Sequence, residues 1–191
     1  LDIDEKSINK LENVIFRNFD CSDIDNIDKD LNSIINEFDC PDIFVNCSYP
    51  RTKDWSRNSF DDITLQSFRN NLDIHLNSYA WLARLIANCM VKQNKRGSII
   101  QLGSIYGILG QDLTIYEGTD MKENMSYSII KGGITNLSRQ MASHYGKYEL
   151  RINTVCPGGI ISSNQDKKFI EQYSKKVPLQ RLGNPSEVAS L

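Results

Sequence analysis

Tyr127 and Lys131 stand four residues apart in Tyr127-Ser-Ile-Ile-Lys131. On a helix that spacing puts both side chains on one face, about one turn apart. A free phenol has a pKa of about 10 and is a poor base at neutral pH. A cation one turn away favours the phenolate and lowers that value. The pair therefore reads as a proton donor and acceptor for alcohol and carbonyl chemistry. Ser104 ends the apolar run Ser98-Ile-Ile-Gln-Leu-Gly-Ser104, so its hydroxyl is available to the reacting oxygen. Taken alone, the Tyr/Lys spacing also fits a helix with one aromatic residue and one solvated lysine.

The elements around the pair give it context. Residues 42–46 predict a strand ending in Asn46, and Asn153-Thr-Val-Cys-Pro157-Gly158-Gly159-Ile160 predicts a strand ending in a Pro-Gly turn. Further strands are expected at 14–19, 98–102 and 150–155. Residues 24–38 have helical spacing at Ile24, Ile27, Leu31, Ile34 and Ile35. One long helix is expected at 65–94, one at 126–146 with Ser126 as cap, a polar one at 162–176, and a last one starting at Pro185. Residues 49–62 and 107–124 read as loops. Strands alternating with helices predict an α/β fold, a doubly wound parallel sheet with helices on both faces. The chain reads as one dinucleotide-binding domain over 1–191. No glycine-rich turn opens a helix near its start, and no final strand follows its last helix. The reading is therefore of a domain incomplete at both ends, lacking its N-terminal and C-terminal strands.

Composition narrows the classes. A net charge of −2 argues against a broad electrostatic footprint for nucleic acid. No apolar run reaches the length of a membrane span. Five cysteines without a CxxC pair argue against a zinc site or a disulfide framework, so no metal is expected and a reducing cytoplasm is.

In their order along the chain these motifs resemble the short-chain dehydrogenase/reductase family over nearly the whole length, a Rossmann-type fold. The resemblance implies that Tyr127 transfers the proton. Lys131 would lower its pKa and bind the nicotinamide ribose, and Ser104 would steady the carbonyl oxygen. The 65–94 helix carries an apolar stripe at Phe68, Leu72, His75, Tyr79, Leu82 and Ile86. His75 falls where the family has an asparagine that helps hold a water beside the lysine. Asn77, two residues on, lies roughly 200° around the helix. An imidazole titrates near pH 6.5, so a limb in the pH–rate profile is expected. The alternative for His75 is a satisfied core histidine.

Cofactor residues follow by position. Asp2 would meet the adenosine ribose and favour NAD over NADP, with Asp4 as a rival. Asp20 and Cys21 would lie near adenine. The family's Asn-Asn-Ala-Gly motif is here Asn46-Cys47-Ser48-Tyr49, so Asn46 and Ser48 would flank a ribose while Tyr49 departs from glycine. Pro157, Gly158 and Ile160 would lie near the nicotinamide amide, beside Tyr127 and Lys131. Arg51 and Lys53 are either holders of a substrate phosphate or carboxylate, or solvated loop charges. Gly132-Gly133 inside a helix implies close packing against a neighbouring helix.

The spacer from Ser104 to Tyr127 is longer than in typical relatives. Its acidic stretch Gln111–Met121 is similar to that of sugar-nucleotide epimerases and dehydratases, and would cover the substrate mouth. That stretch, with Asn46–Arg51 and His75–Tyr79, also resembles oxidoreductases of bacterial flagellin-modification and nonulosonic (legionaminic-type) acid clusters. The implied activity is NAD(P)-dependent interconversion of a secondary alcohol and a ketone on a small, sugar-like substrate. The implied assembly is a homodimer or homotetramer through the 65–94 and 126–146 helices. The rival readings are an epimerase or dehydratase using NAD transiently, and a degenerate, non-catalytic subunit of the same fold.

Overall fold

A computed structural model describes residues 1–5 and 13–191. Three parallel strands, β1 (Ile43–Asn46), β2 (Ser98–Leu102) and β3 (Arg151–Val155), form a sheet in the order β1-β2-β3. The register aligns Phe44 with Ile99 and Ile99 with Ile152. These three share one face of the pleat. They pack into the main core with Ile27 and Leu31 of helix α1 (Ile27–Phe38), Leu82 and Ile86 of α3 (Ser78–Lys92), and Met141 and Tyr145 of α4 (Met125–Tyr145). The fold is thus the parallel, helix-covered one that the alternating pattern predicts. Among the described residues no helix is long and apolar enough to cross a membrane.

Four elements differ from the sequence-based expectation. The strand expected at 14–19 shrinks to one parallel bridge, Asp2 with Asn18, closed by Asp2 N–H to the Arg17 carbonyl (3.3 Å) and Phe19 N–H to the Asp2 carbonyl (3.1 Å). The helix expected at 65–94 is not continuous. It comprises α2 (Leu65–Asn71), a π-helical turn (Leu72–Asn77) and α3. The wide turn carries one residue more than an α-turn, which shifts the phase of the buried face, and His75 lies at its centre. The cap of α4 is Asn124, whose side chain accepts from Tyr127 N–H at 2.9 Å. Ser126 is not the cap because its hydroxyl donates to Asn58 Oδ1 instead, at 2.7 Å. The helix expected at 162–176 is only α5 (Lys167–Ser174), started by Asp166, which accepts from Lys168 and Phe169 N–H. The short α6 (Pro185–Ala189) begins with proline at its first turn, as expected.

The acidic spacer is anchored by Ile115 and Tyr116, the latter stacked on Phe169 at 5.9 Å. Ile115, only 2% exposed, joins Phe169, Tyr173 and Leu182 in a second small core, and its carbonyl accepts from Gln172 Nε2 at 2.8 Å. Gln111–Met121 is thereby fixed on α5.

Candidate active site

β2 ends at Leu102, and the next two residues turn the chain. Gly103 N–H donates to the Val155 carbonyl at 2.8 Å, tying the ends of β2 and β3 together. Ser104 follows in extended conformation, 4% exposed, and its Oγ accepts from Tyr106 N–H at 3.1 Å. Tyr127 and Lys131 approach from the first turns of α4. The Tyr127 hydroxyl lies near enough to Ser104 for that residue to favour the phenolate. Ser104, Tyr127 and Lys131 therefore meet at the C-terminal edge of the sheet, where open α/β sheets bind ligands.

Electrostatics at this point differ from the expectation. Burial pushes the Tyr127 phenol above its ordinary value, and Ser104 only partly offsets this. The Lys131 ammonium is hydrogen-bonded to backbone rather than to the phenol oxygen in this geometry. Lys131 is 2% exposed, and its Nζ donates to the Leu102 carbonyl at 2.8 Å. Three tyrosine rings surround that Nζ, Tyr79 at 5.3 Å, Tyr49 at 5.7 Å and Tyr127 at 5.8 Å from the centroids. Burial brings the Lys131 pKa down to about 8. It is a cation at neutral pH, poised close to titration.

Two glycines let the backbone close around this lysine. A Cβ on Gly107 would lie 2.5 Å from the Lys131 carbonyl oxygen, a backbone atom with no room to yield. We expect Gly107→Ala to cost about 1–3 kcal/mol, the range for overpacking. Urea denaturation of the variant checks this, and an unchanged midpoint would show that the turn moves freely. A Cβ on Gly133 would lie 2.9 Å from Leu76 Cδ1, so Gly133 provides the close helix crossing that the Gly-Gly pair implies. Gly132 meets only the Gly107 carbonyl at 3.7 Å, an ordinary contact.

His75 is fully buried, with Tyr49 at 5.2 Å, Tyr79 at 5.4 Å and Trp55 at 6.3 Å between ring centroids. Neither ring nitrogen has a partner of good geometry among the described residues, although the Pro50 carbonyl is near enough to favour protonation slightly. Burial, then the Lys131 charge, brings its pKa down to about 3. This overturns the expected titration near pH 6.5, because a second cation beside Lys131 has no compensating anion. His75 is a neutral imidazole at working pH and adds no limb to the pH–rate profile. Asn77 is exposed and donates to Asp73 at 2.7 Å, away from the site. We expect His75→Asn to keep at least about a tenth of activity and His75→Leu to fall below that, as loss of a positioned polar group costs 10²-fold or more. Steady-state kinetics on folded variants check this. Equal activity in His75→Leu and wild type would leave His75 as core filling.

On the other side of β1 lies a cavity of about 840 Å³. Asp2, Asp20, Cys21, Asn46 and Ser48 line it together, with Tyr49 and Arg51 at one side. Asn46 is 4% exposed, and its Oδ1 accepts from Ser48 N–H (3.3 Å) and Oγ (2.8 Å). Its buried Nδ2 has no acceptor among the described residues. A donor aimed from a turn, with acidic and hydroxyl groups around the same cavity, fits an adenosine ribose. Asp2 also accepts from Asp4 N–H at 3.1 Å, which puts Asp2 rather than Asp4 on the cavity wall. Ile43 and Val45, on the face opposite the core, are exposed along this cavity. Pro157, Gly158 and Ile160 follow β3 on the Ser104 side. The Pro157 carbonyl accepts from Ile105 N–H at 3.0 Å. Gly159 N–H donates to the Tyr173 hydroxyl at 2.7 Å, and Ile160 bridges Gly183.

Several residues at this site carry no sequence signal. Tyr49, noted only as a departure from glycine, turns its ring into the site, 6.3 Å from Tyr127. Trp55, from a loop that reads as polar, lies 6.3 Å from the same ring. Tyr79 donates to the Ser48 carbonyl (2.8 Å) and to the Asn46 carbonyl (3.2 Å), pinning the turn after β1. Arg51 sits over the Tyr49 ring at 5.5 Å, and Lys53 is exposed.

Comparison with known proteins agrees with this geometry. A family model described as enoyl-(acyl carrier protein) reductase matches residues 3–191. The chain is 34% identical over 134 residues to post-translational flagellin modification protein A of Campylobacter coli, covering 70% of this chain and 52% of that protein. It is 27% identical over 133 residues to glucose 1-dehydrogenase 2 of Bacillus subtilis, covering 68% of this chain and 48% of that protein. Among solved structures, a short-chain dehydrogenase from Leptospira borgpetersenii with bound NAD+ superposes with a TM-score of 0.86 at 29% identity, over 99% of this chain and 71% of that one. The chain spans about half the length of the curated relatives it matches.

Proposed function

Because the chain belongs to the short-chain dehydrogenase/reductase family, we propose that its protein is an NAD(P)-dependent oxidoreductase interconverting a secondary alcohol and a ketone. The observation that carries this reading is the meeting of Ser104, Tyr127 and Lys131 at the C-terminal edge of the sheet, with Ser104 beside the Tyr127 phenol and Lys131 Nζ held on the Leu102 carbonyl. The bound nicotinamide supplies or accepts the hydride. The protein's part is proton transfer and orientation. In reduction, Ser104 Oγ–H donates to the substrate carbonyl oxygen and fixes it beside the Tyr127 hydroxyl. Tyr127 then gives its proton to that oxygen as the carbon is reduced, and the phenolate is reprotonated from solvent. Lys131 provides the positive charge that stabilises this phenolate and holds a ribose hydroxyl. The oxidation direction runs the same steps backwards.

Cofactor binding follows the cavity. Asp2, Asp20, Cys21, Asn46 and Ser48 would hold the adenosine half, and Pro157, Gly158, Ile160, Tyr127 and Lys131 the nicotinamide half. A carboxylate at Asp2 favours NAD, since it hydrogen-bonds a ribose diol and repels a 2′-phosphate. A sugar-like substrate is supported by the similarity to a glucose 1-dehydrogenase. Trp81 of α3 and Ile129 of α4 expose 40% and 42% of their surface, which supports self-association through these helices. All five cysteines are free thiols, which fits a reducing cytoplasm. The test is consumption of free NADH or NADPH by the full protein with a panel of polyhydroxy ketones. Net oxidation supports a dehydrogenase. Conversion of sugar isomers without net oxidation would favour an epimerase, and no turnover with bound cofactor a non-catalytic subunit.

A further inference from the structure

The loop between β1 and α2 is tied to the start of α4 by buried amides and hydroxyls rather than by apolar packing. Asn58 is 0% exposed and is the centre of the tie. Its Nδ2 donates to the Asp54 carbonyl (3.1 Å) and to Ser67 Oγ (2.9 Å). Its Oδ1 accepts from Ser126 Oγ (2.7 Å) and from Asn71 Nδ2 (3.3 Å). Its carbonyl accepts from Met125 N–H at 2.8 Å. Asn71, also 0% exposed, accepts from Thr52 N–H (3.0 Å) and donates to Thr52 Oγ1 (2.7 Å). Beside them Asn124, the cap of α4, donates to the Trp55 carbonyl at 2.9 Å. Loop, α2 and the first turn of α4 thus share one polar network.

Buried polar groups cost stability relative to apolar packing unless every member is satisfied. Here the Asn58 amide makes all four of its hydrogen bonds and both polar atoms of the Asn71 amide are bonded, so the network is set for one geometry. Its link to α4 falls on Ser126, the residue before Tyr127. We propose that Asn58 and Ser126 are positioning residues, which hold the Tyr127 hydroxyl against Ser104 through this buried network. The proposal rests on the reading of Tyr127 as the proton donor. A misplacement of about 1 Å at a reacting group can cost 10²-fold in rate. Around Tyr127 stand Ser104, Cys156, Tyr49, Trp55 and Tyr173 from other elements and Lys131 from α4 itself.

Ser126→Ala removes one hydroxyl without adding bulk, and Ser126→Thr retains it. In the full protein we expect Ser126→Ala to lower kcat about tenfold or more, with KM and NAD(H) affinity within about threefold. The phenol would also move away from Ser104, which lowers its pKa. In alcohol oxidation the Tyr127-dependent rising limb of the pH–rate profile should therefore move to higher pH. Ser126→Thr should recover most of the rate. Asn58→Ala, if folded, should reproduce the Ser126→Ala profile. A Ser126→Ala enzyme with wild-type kcat and an unmoved limb would overturn the proposal. So would a loss of kcat matched by an equal loss of cofactor affinity and thermal stability, which marks a structural role only. Tyr127→Phe measured alongside separates the two levels. If it stays active, the reading of Tyr127 fails. If it is inactive while Ser126→Ala is normal, only the positioning role fails.

Discussion

Tyr127→Phe is expected to lower turnover by about 10²–10⁴-fold, the usual contribution of a general acid–base group. The variant removes one oxygen from a half-buried ring, so folding and NAD(H) binding should stay close to wild type. The ring contacts to Tyr49 and Trp55, at 6.3 Å each, do not need the hydroxyl. Loss should appear in kcat rather than KM, because the proton moves only in the transition state. Steady-state kinetics with calorimetric cofactor titration give both quantities. A variant with more than about a tenth of wild-type kcat would remove Tyr127 from the chemistry.

Lys131→Met should separate activity from stability in opposite directions. The cation is needed for the phenolate and the ribose, so turnover should fall at least about 10²-fold. Stability should rise at pH 7. Burial lowers the Lys131 pKa from 10.5 to about 8, so folding disfavours its charged form. Below about pH 8 the buried cation costs stability in full. Between pH 8 and 10.5 the unfolded chain binds the extra proton, so that cost declines as pH rises and vanishes above 10.5. Methionine has a similar shape and no charge to desolvate. Its stabilisation should therefore be largest at neutral pH and shrink towards pH 10.5, as thermal unfolding at several pH values would show. A lower melting temperature at pH 7 would mean that the Leu102 hydrogen bond and the three tyrosine rings outweigh desolvation.

Where local chemistry decides the structure, the sequence is legible. β2 was predicted residue for residue at 98–102, because an apolar run is bounded by Gly97 and Gly103. The buried stripe of α1 follows its spacing, since Ile27 and Leu31 have no other face to present to the sheet. The Tyr127/Lys131 pair was legible because one turn of helix is a local distance. The π-helical turn at Leu72–Asn77 was not, since the same apolar spacing fits an uninterrupted helix and only packing selects the wider turn. The neutrality of His75 was not legible either, as it depends on how deeply the imidazole is buried and then on Lys131 from another helix. Asn58 pairs with Ser126 across 68 positions, and neither residue carries a local mark of it. Tyr49 appeared only as a lost glycine, although its ring lies against Tyr127 and Lys131.

The central claim is direct hydride transfer between a free nicotinamide cofactor and a substrate carbonyl, with Tyr127 as the proton donor. The most direct measurement supplies NADH carrying deuterium at both C4 positions to the full protein with a polyhydroxy ketone, and follows the label by mass spectrometry. The expected result is one deuterium on the new carbinol carbon for each NADH oxidised, formed at least about 10²-fold more slowly by Tyr127→Phe. Product formed without consumption of the labelled NADH, or labelled product formed equally well by Tyr127→Phe, would contradict it.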